Sequence, residues 1–328
     1  MSQVSQPLIV RSLVCHHHVD MAILCLGSLL KFSSEPLHLV IHDDGSLTDE
    51  DIDKLKTKLS DSDASNRCAE VICRSEADEL MRQHLRLHPN ALKYRNMNVL
   101  GLKLLDIVLL SAGDMAYCDS DILFLRPFQK MFYFPNPETS AIFQMDCREA
   151  YAVFPWKFLR QSPIKFLNNT DTSLRYAIGE SQHVGLISKV NAGLIFIRKT
   201  AYDLDFIEWL ISQNIFNHDS YWHEQTCWSA LAHHIGSRQW HPQQVVLVQS
   251  KQSITDQTIA AHFVSRYRHF LGDFSNHVNH SWHNINPIAV ETISSKNCNL
   301  FNLSLSLMRY KLGIWKHNAM QKKLLVCD

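Results

Sequence analysis

The stretch YCDSDILFLRP, residues 117–127, decides how the rest of the chain is read. Asp119 and Asp121 flank one serine, and the apolar run ILFL follows at 122–125. Like charges so close repel and raise each other's pKa unless a cation sits between them. The flanks MAYC (115–118) and ILFL set the pair beside a buried strand rather than in a solvated loop. A strand that ends in Asp-x-Asp presents two hard oxygen ligands, which suit Mg²⁺ or Mn²⁺. Such a cation resolves the repulsion and can clamp a diphosphate leaving group.

Strand-like and helix-like segments alternate ahead of this motif. LIVRSLVC (8–15) is β-rich, MAILCLGSLLKF (21–32) suits a helix packed on a sheet, and LHLVIH (37–42) is a strand ending in the turn DDGS. LTDEDIDKLKTKL (47–59) is an amphipathic helix whose Thr48 and Asp51 make a capping box. AEVICRS (69–75) reads as a third strand, 76–88 and 99–112 as helices, and 115–125 as holding the fourth strand. Further on, 141–146 and 183–199 are strand-like, 202–213 and 223–235 helical, and 243–248 a short strand. The alternation predicts an α/β domain with a mostly parallel sheet, which binds ligands at the carboxyl ends of its strands. DDGS and DSD both fall at such ends.

Composition narrows the class. The chain has 328 residues, 46% apolar, with 32 Lys+Arg against 32 Asp+Glu. A nucleic-acid binder would carry a basic excess, so that partner is not expected. Nine scattered cysteines without a CxxC pair suit reduced thiols. The N-terminus lacks the basic region of a signal peptide, and the apolar run 21–32 is shorter than the ~20 residues that span a bilayer. The expectation is a soluble, cytoplasmic protein. Beyond Glu291 the only acidic residue is Asp328, while Lys296, Arg309, Lys311, Lys316, Lys322 and Lys323 accumulate among leucines. This predicts a helical extension over 276–328 that packs on the domain or docks peripherally on a membrane or partner.

GLKLLDIVLLSAGDMAYCDSDILFLRP (101–127) resembles the core of GT-A-fold nucleotide-sugar glycosyltransferases, especially the glycogenin-like family eight. Further landmarks follow in the family's order: NAGLIFI (191–197), HEQTCWSAL (223–231) and AHF (261–263). The resemblance implies a GT-A fold, a mostly parallel central sheet flanked by helices. It implies a transferase domain over 1–275, with a nucleotide-binding part at about 1–125 and an acceptor part at about 126–275, before the 276–328 extension. It implies Mn²⁺ (or Mg²⁺) held by Asp119, Asp121 and His262, and a diphosphate contact from Lys103, one helix before the motif. Asp43 and Asp44 would meet the nucleobase or ribose, and Asn191 and Gln225 the donor. Glu224 and Asp146 are the acidic candidates near the reacting carbon. The implied activity moves a sugar from a UDP-sugar to an acceptor hydroxyl with retention. The acceptor would be a glycan, a lipid-linked glycan, a protein or a small molecule. The chain departs from the family in reading Glu-Gln for Asp-Gln at 224–225 and HFVSRYRHF at 262–270.

Each residue also has a structural alternative. Asp43 and Asp44 would serve equally as caps for the helix near Thr48, and Lys103 as an exposed lysine on an amphipathic helix. The HHH at 16–18 lacks zinc-spaced partners. His84 and His88, four apart, read as one helical face. Trp222, Trp228 and Trp240 stack on an acceptor sugar or fill a core. Two rival functions share the motif. A haloacid-dehalogenase-like phosphatase uses Asp-x-Asp, and a non-catalytic nucleotide-sugar-binding protein would keep the fold.

Overall fold

A computed structural model describes residues 7–60, 69–146, 186–212, 223–279 and 285–297. Leu8–Val14 (β1) and Leu37–Asp43 (β2) are mostly buried along their length, as in strands covered on both faces. A 3₁₀ turn, His16–His18, leads into Val19–Phe32 (α1) between them. Asp49–Ser60 (α2) opens on the expected capping box. Thr48 Oγ1 accepts from the Asp51 N–H at 3.2 Å, and Asp51 Oδ2 accepts from the Thr48 N–H at 2.9 Å. Ala69–Ile72 (β3), Arg74–His84 (α3), Pro89–Met97 (α4), Leu100–Leu109 (α5) and Met115–Cys118 (β4) follow. Then come Ile122–Phe124 (β5), Phe128–Gln129 (β6), Ala141–Met145 (β7), Val190–Ile197 (β8) and the helices Leu204–Ser212 (α6) and His223–Ile235 (α7). Ser237–Trp240 (β9), Val245–Leu247 (β10), Ala260–His262 (β11), Leu271–Asn279 (α8), Ile288–Ala289 (β12) and Thr292–Ser294 (β13) complete the described chain.

The main sheet has eight strands in the order β13-β9-β7-β8-β4-β1-β2-β3. The run β4-β1-β2-β3 is parallel, as expected from the alternation. The far side is mixed, because β8 is inserted antiparallel to both β4 and β7. That reversal has a consequence for function. The amino end of β8, with Asn191 and Gly193, comes to lie beside the carboxyl end of β4. β4 alternates between two cores: Ala116 and Cys118 face the one under α1 and α2, Met115 and Tyr117 the one under α5, α6 and α7.

Several expectations from sequence change. Residues 115–125 hold the fourth strand, β4, and a further one, β5. The chain turns at 119–121, and β5 leaves the main sheet for a small one of order β10-β11-β5. Phe124 N–H of β5 is held by Ser28 Oγ of α1 at 2.8 Å, which fixes where the small sheet sits. His84 and His88 do not share a helix, since α3 ends at His84 and His88 stands just before α4, paired with Asp205 at 2.8 Å. Trp228 and Trp240 are wholly buried, so they pack the cores and do not meet an acceptor. Residue 275 falls inside α8, and Thr292–Ser294 is an edge strand of the main sheet, paired with β9. The basic tail from 298, the strand-like stretch 183–185, and Trp222 lie outside the described residues. Among the described residues, no helix is long and apolar enough to cross a membrane.

Helix α5 is fixed firmly, and it carries Lys103. Arg95 of α4 forks onto Asp106 of α5, with Nε–Oδ1 and Nη2–Oδ2 both 2.7 Å, a bidentate pair buried from water. A side chain at Gly101 would run into the Arg95 backbone, so only glycine permits this approach. At the other end, Arg11 and Lys199 donate to the Leu110 and Val108 carbonyls at 2.7 and 2.6 Å. Two cations thus answer the negative pole of α5.

Candidate active site

The carboxyl ends of β1, β2, β4 and β7 line one edge of the main sheet, and the polar residues that sequence singled out gather there. Asp119 follows β4, and its N–H is fixed by the Gly193 carbonyl at 2.7 Å. Asp121 begins the turn into β5. His262 ends β11, whose antiparallel pairing puts it opposite Ile122. His262 Nε2 therefore faces Asp121 Oδ1 at 3.0 Å and Asp119 Oδ2 at 3.6 Å. The three side chains each offer a ligand atom within 4.8 Å of the others.

The other ring nitrogen leaves Nε2 available as a ligand in the neutral ring. His262 Nδ1 lies 2.8 Å from Gln144 Oε1, an acceptor, so it carries the proton. In the neutral ring, Nε2 then turns a bare lone pair toward two carboxylates. A lone pair facing two anions calls for a cation among them, and two carboxylates with one imidazole suit Mn²⁺ or Mg²⁺. The backbone makes room for the ring. β8 carries extra residues against β7 where the register slips between Phe143 and Gln144. Gly193 lies in that bulge, and a Cβ there would collide with the His262 imidazole.

Each carboxylate also has a cation partner from the chain. Lys103 Nζ donates to both oxygens of Asp119 at 3.2 Å and lies over the Tyr117 ring. It is buried, not the exposed lysine that its helix alone would suggest. Burial works to lower its pKa, and Asp119 and Glu224 outweigh this, so it stays charged. Arg268, in the turn Ser265–Phe270, sends Nε and Nη2 to Asp121 Oδ2 at 2.9 and 2.8 Å. Its Nη1 reaches His18 Nε2 at 3.0 Å. Burial raises the Asp121 carboxyl, but the charged form of His262 and Arg268 together hold it well below the usual carboxylate range.

Glu224, in the first turn of α7, is buried with Oε1 3.9 Å from Lys103 Nζ. Burial pushes its pKa up to about 7, against the pull of Lys103. Near neutral pH it can therefore both donate and accept a hydrogen bond. Asn191 ties the strands together, donating from Nδ2 to Asp146 Oδ2 at 3.3 Å and accepting the Gly193 N–H at 2.8 Å. Gln225 spends its amide on the Val190 carbonyl at 2.8 Å. Asp43 is occupied by backbone: its carboxylate accepts from Gly45, Leu47 and Arg74 N–H groups at 2.7, 3.1 and 3.3 Å. It thus caps α3 rather than α2. Asp44 closes its own turn on Ser46, at 3.0 Å to the N–H. His16 of the triple histidine bonds Asp51 at 2.6 Å.

Two residues of this site, Gln144 and Arg268, were not singled out from sequence. Gln144 carried a signal, a lone polar residue in the apolar strand AIFQM. Arg268 carried none, since it meets Asp121 across a separation of 147 residues.

No protein-family model matches the chain, and no curated protein matches it. Solved structures do. Galactosyltransferase LgtC, in complex with donor and acceptor sugar analogues, aligns with a TM-score of 0.51 at 9% identity. The alignment covers 83% of this chain and 95% of LgtC. The bifunctional glycosyltransferase WbbM, solved in its apo form, aligns with a TM-score of 0.52 at 9% identity, over 86% of this chain and 51% of WbbM. This chain has the GT-A glycosyltransferase fold. The GT-A sheet places the aspartate pair after its fourth strand in chain order. The haloacid-dehalogenase alternative would put its aspartates after the first strand.

Proposed function

We propose that this chain is a metal-dependent, glycogenin-like glycosyltransferase that moves a sugar from a UDP-sugar to an acceptor hydroxyl with retention. The observation that carries this reading is the meeting of Asp119, Asp121 and His262 at the carboxyl edge of a GT-A sheet. A Mn²⁺ or Mg²⁺ bound there supplies positive charge against the departing diphosphate. Lys103 adds a second positive charge from a fixed helix, as a point donor to phosphate oxygens. Asp43 and Asp44 shape the turn where a nucleobase and ribose would rest. Asn191, Gln225 and Asp146 bound the floor of the donor-sugar site, with Glu224 beside them. A retaining transfer needs no strong base, and a carboxyl with a pKa of about 7 suits hydrogen bonding to a sugar hydroxyl.

In this reading residues 1–125 hold the nucleotide and 126–275 the acceptor, while the 276–328 segment packs on the domain or docks on a membrane or partner. The acceptor is a hydroxyl of a glycan, lipid-linked glycan, protein or small molecule, and the protein works in the cytoplasm.

The test is a panel of nucleotide sugars incubated with the protein and Mn²⁺, scored by release of free nucleoside diphosphate. One donor should be turned over in a metal-dependent way, and Asp121→Ala should lose that turnover. Tight metal-dependent donor binding without release or transfer would favour the non-catalytic binding protein. No binding of any donor would overturn the proposal.

A further inference from the structure

The carboxylates of this site are not waiting with open valences. Asp119 is paired with Lys103, and Asp121 with Arg268 and His262. The two cations differ in one respect. Lys103 is fixed in α5, with a side chain only 7% exposed, so it cannot leave without stranding its charge. Arg268 stands on a short 3₁₀ turn with a side chain 37% exposed, so its guanidinium can swing into water.

Asp121 itself is buried, and its two oxygens have different neighbours. Oδ2 takes two N–H groups from Arg268, and Oδ1 faces His262 Nε2. A cation among the three ligands would meet Oδ1, and Arg268 on Oδ2 competes with it for the charge of the same carboxylate; of the chain's two cations here, Arg268 is the one that can withdraw. The far end of its guanidinium rests on His18 Nε2, which must accept and so is neutral there. The side chain is thus docked at both ends, in a defined place.

We infer that Arg268 is a built-in counter-ion to Asp121, with which a divalent cation must compete for the charge of that carboxylate, so that Arg268 sets the metal affinity of the protein. The inference rests on the proposed metal site. It assigns Arg268 a role toward the cation that is separate from any contact with substrate. In the free protein Arg268 neutralises a buried carboxylate, and a cation at Oδ1 weakens that pairing. A weakly binding cation gains too little to offset this, so Arg268 acts as a threshold.

The experiment titrates Mn²⁺ alone, without nucleotide, and follows the free aqueous Mn²⁺ signal by electron paramagnetic resonance. Four proteins are compared: wild type, Arg268→Gln, Arg266→Gln and Asp121→Ala. Arg266 is the control, because it removes the same charge from the same turn but points onto Tyr267. Arg268→Gln should bind Mn²⁺ about tenfold tighter or more, a change of about 1.4 kcal/mol. Arg266→Gln should match wild type, and Asp121→Ala should lose binding. Thermal melting gives a second reading. Without metal, Arg268→Gln should melt below wild type, and saturating Mn²⁺ should close the gap.

Should Arg268→Gln fail to fold, Arg268→Lys takes its place. A lysine keeps the charge but not the two-pronged contact, so it should bind Mn²⁺ more tightly than wild type. Loss of binding in Asp121→Ala with unchanged or weaker binding in the Arg268 variant would keep the metal site and overturn the counter-ion. Equal tightening in Arg266→Gln would also overturn it, by reducing the effect to long-range charge. No Mn²⁺ binding by any of the four would sink both the site and the inference.

Discussion

Gly193 lies directly beneath the imidazole of His262, in the place where any other residue would put a Cβ. The same glycine accepts the Asp119 N–H through its carbonyl at 2.7 Å. One residue without a side chain therefore positions two of the three candidate ligands. Gly193→Ala should push the His262 ring away from Asp121 and cost about 1–3 kcal/mol as overpacking. Mn²⁺ titration of the folded variant should show a loss of affinity. Gly113→Ala, where a Cβ would meet nothing within 4 Å, should leave metal binding as it was.

Lys103 is the second residue to test. Lys103→Ala removes one charge-assisted contact from a bound diphosphate, worth roughly 1.5–3 kcal/mol, or about ten- to hundredfold in affinity. Calorimetry with UDP and Mn²⁺ measures this. Lys56, exposed on α2, provides the control and should change almost nothing when replaced by alanine. Equal small losses at both lysines would remove Lys103 from the donor site.

Glu224 gives stability a pH dependence of known sign. In the fold it keeps its proton up to about pH 7, and in the unfolded chain only to about the ordinary 4.5. Between these values the folded state holds the extra proton, so the stabilisation is complete below the lower value and is lost as pH rises through about 7. Glu224→Gln stays neutral throughout. Its melting temperature relative to wild type should therefore rise between pH 5 and pH 8. Parallel curves over that range would contradict the raised pKa.

The Arg95–Asp106 pair is the fourth test. Arg95→Leu leaves the Asp106 carboxylate buried without its fork, which typically costs 3–5 kcal/mol. Urea denaturation should show that loss, and the double variant Arg95→Leu/Asp106→Leu should recover part of it. Because α5 carries Lys103, loosened donor binding should accompany the single variant.

How much of this was legible in the sequence follows from how local each signal is. The strands at 8–15 and 37–42 and the helices at 47–59 and 223–235 announce themselves through runs or periods a few residues long. Their observed bounds agree closely with the reading. Helix α4 was missed because its apolar residues do not gather on one face, and its Pro89 reads as a break although it sits in the first turn. β9 and β11 are three or four residues long and exist because of their partners in space, which no local pattern encodes. The aspartate pair was visible because its chemistry is written in adjacent positions. Gln144, which fixes the His262 tautomer, and Arg268, which covers Asp121, act across long separations and left at most a faint trace.

The corner at 119–121 is one place where the chain passes from the large sheet to the small one. Asp119 belongs to the large sheet, whereas Asp121 and His262 move with the small one. An ion shared by all three would work as a rivet through both plates. Its grip would then depend on the spacing of the plates as much as on the ligands themselves. Ser28, which pins the small sheet to α1 through Phe124, becomes a gauge screw for that spacing, although it touches none of the ligands. An ion held there would feel the layered body around it, α1 included.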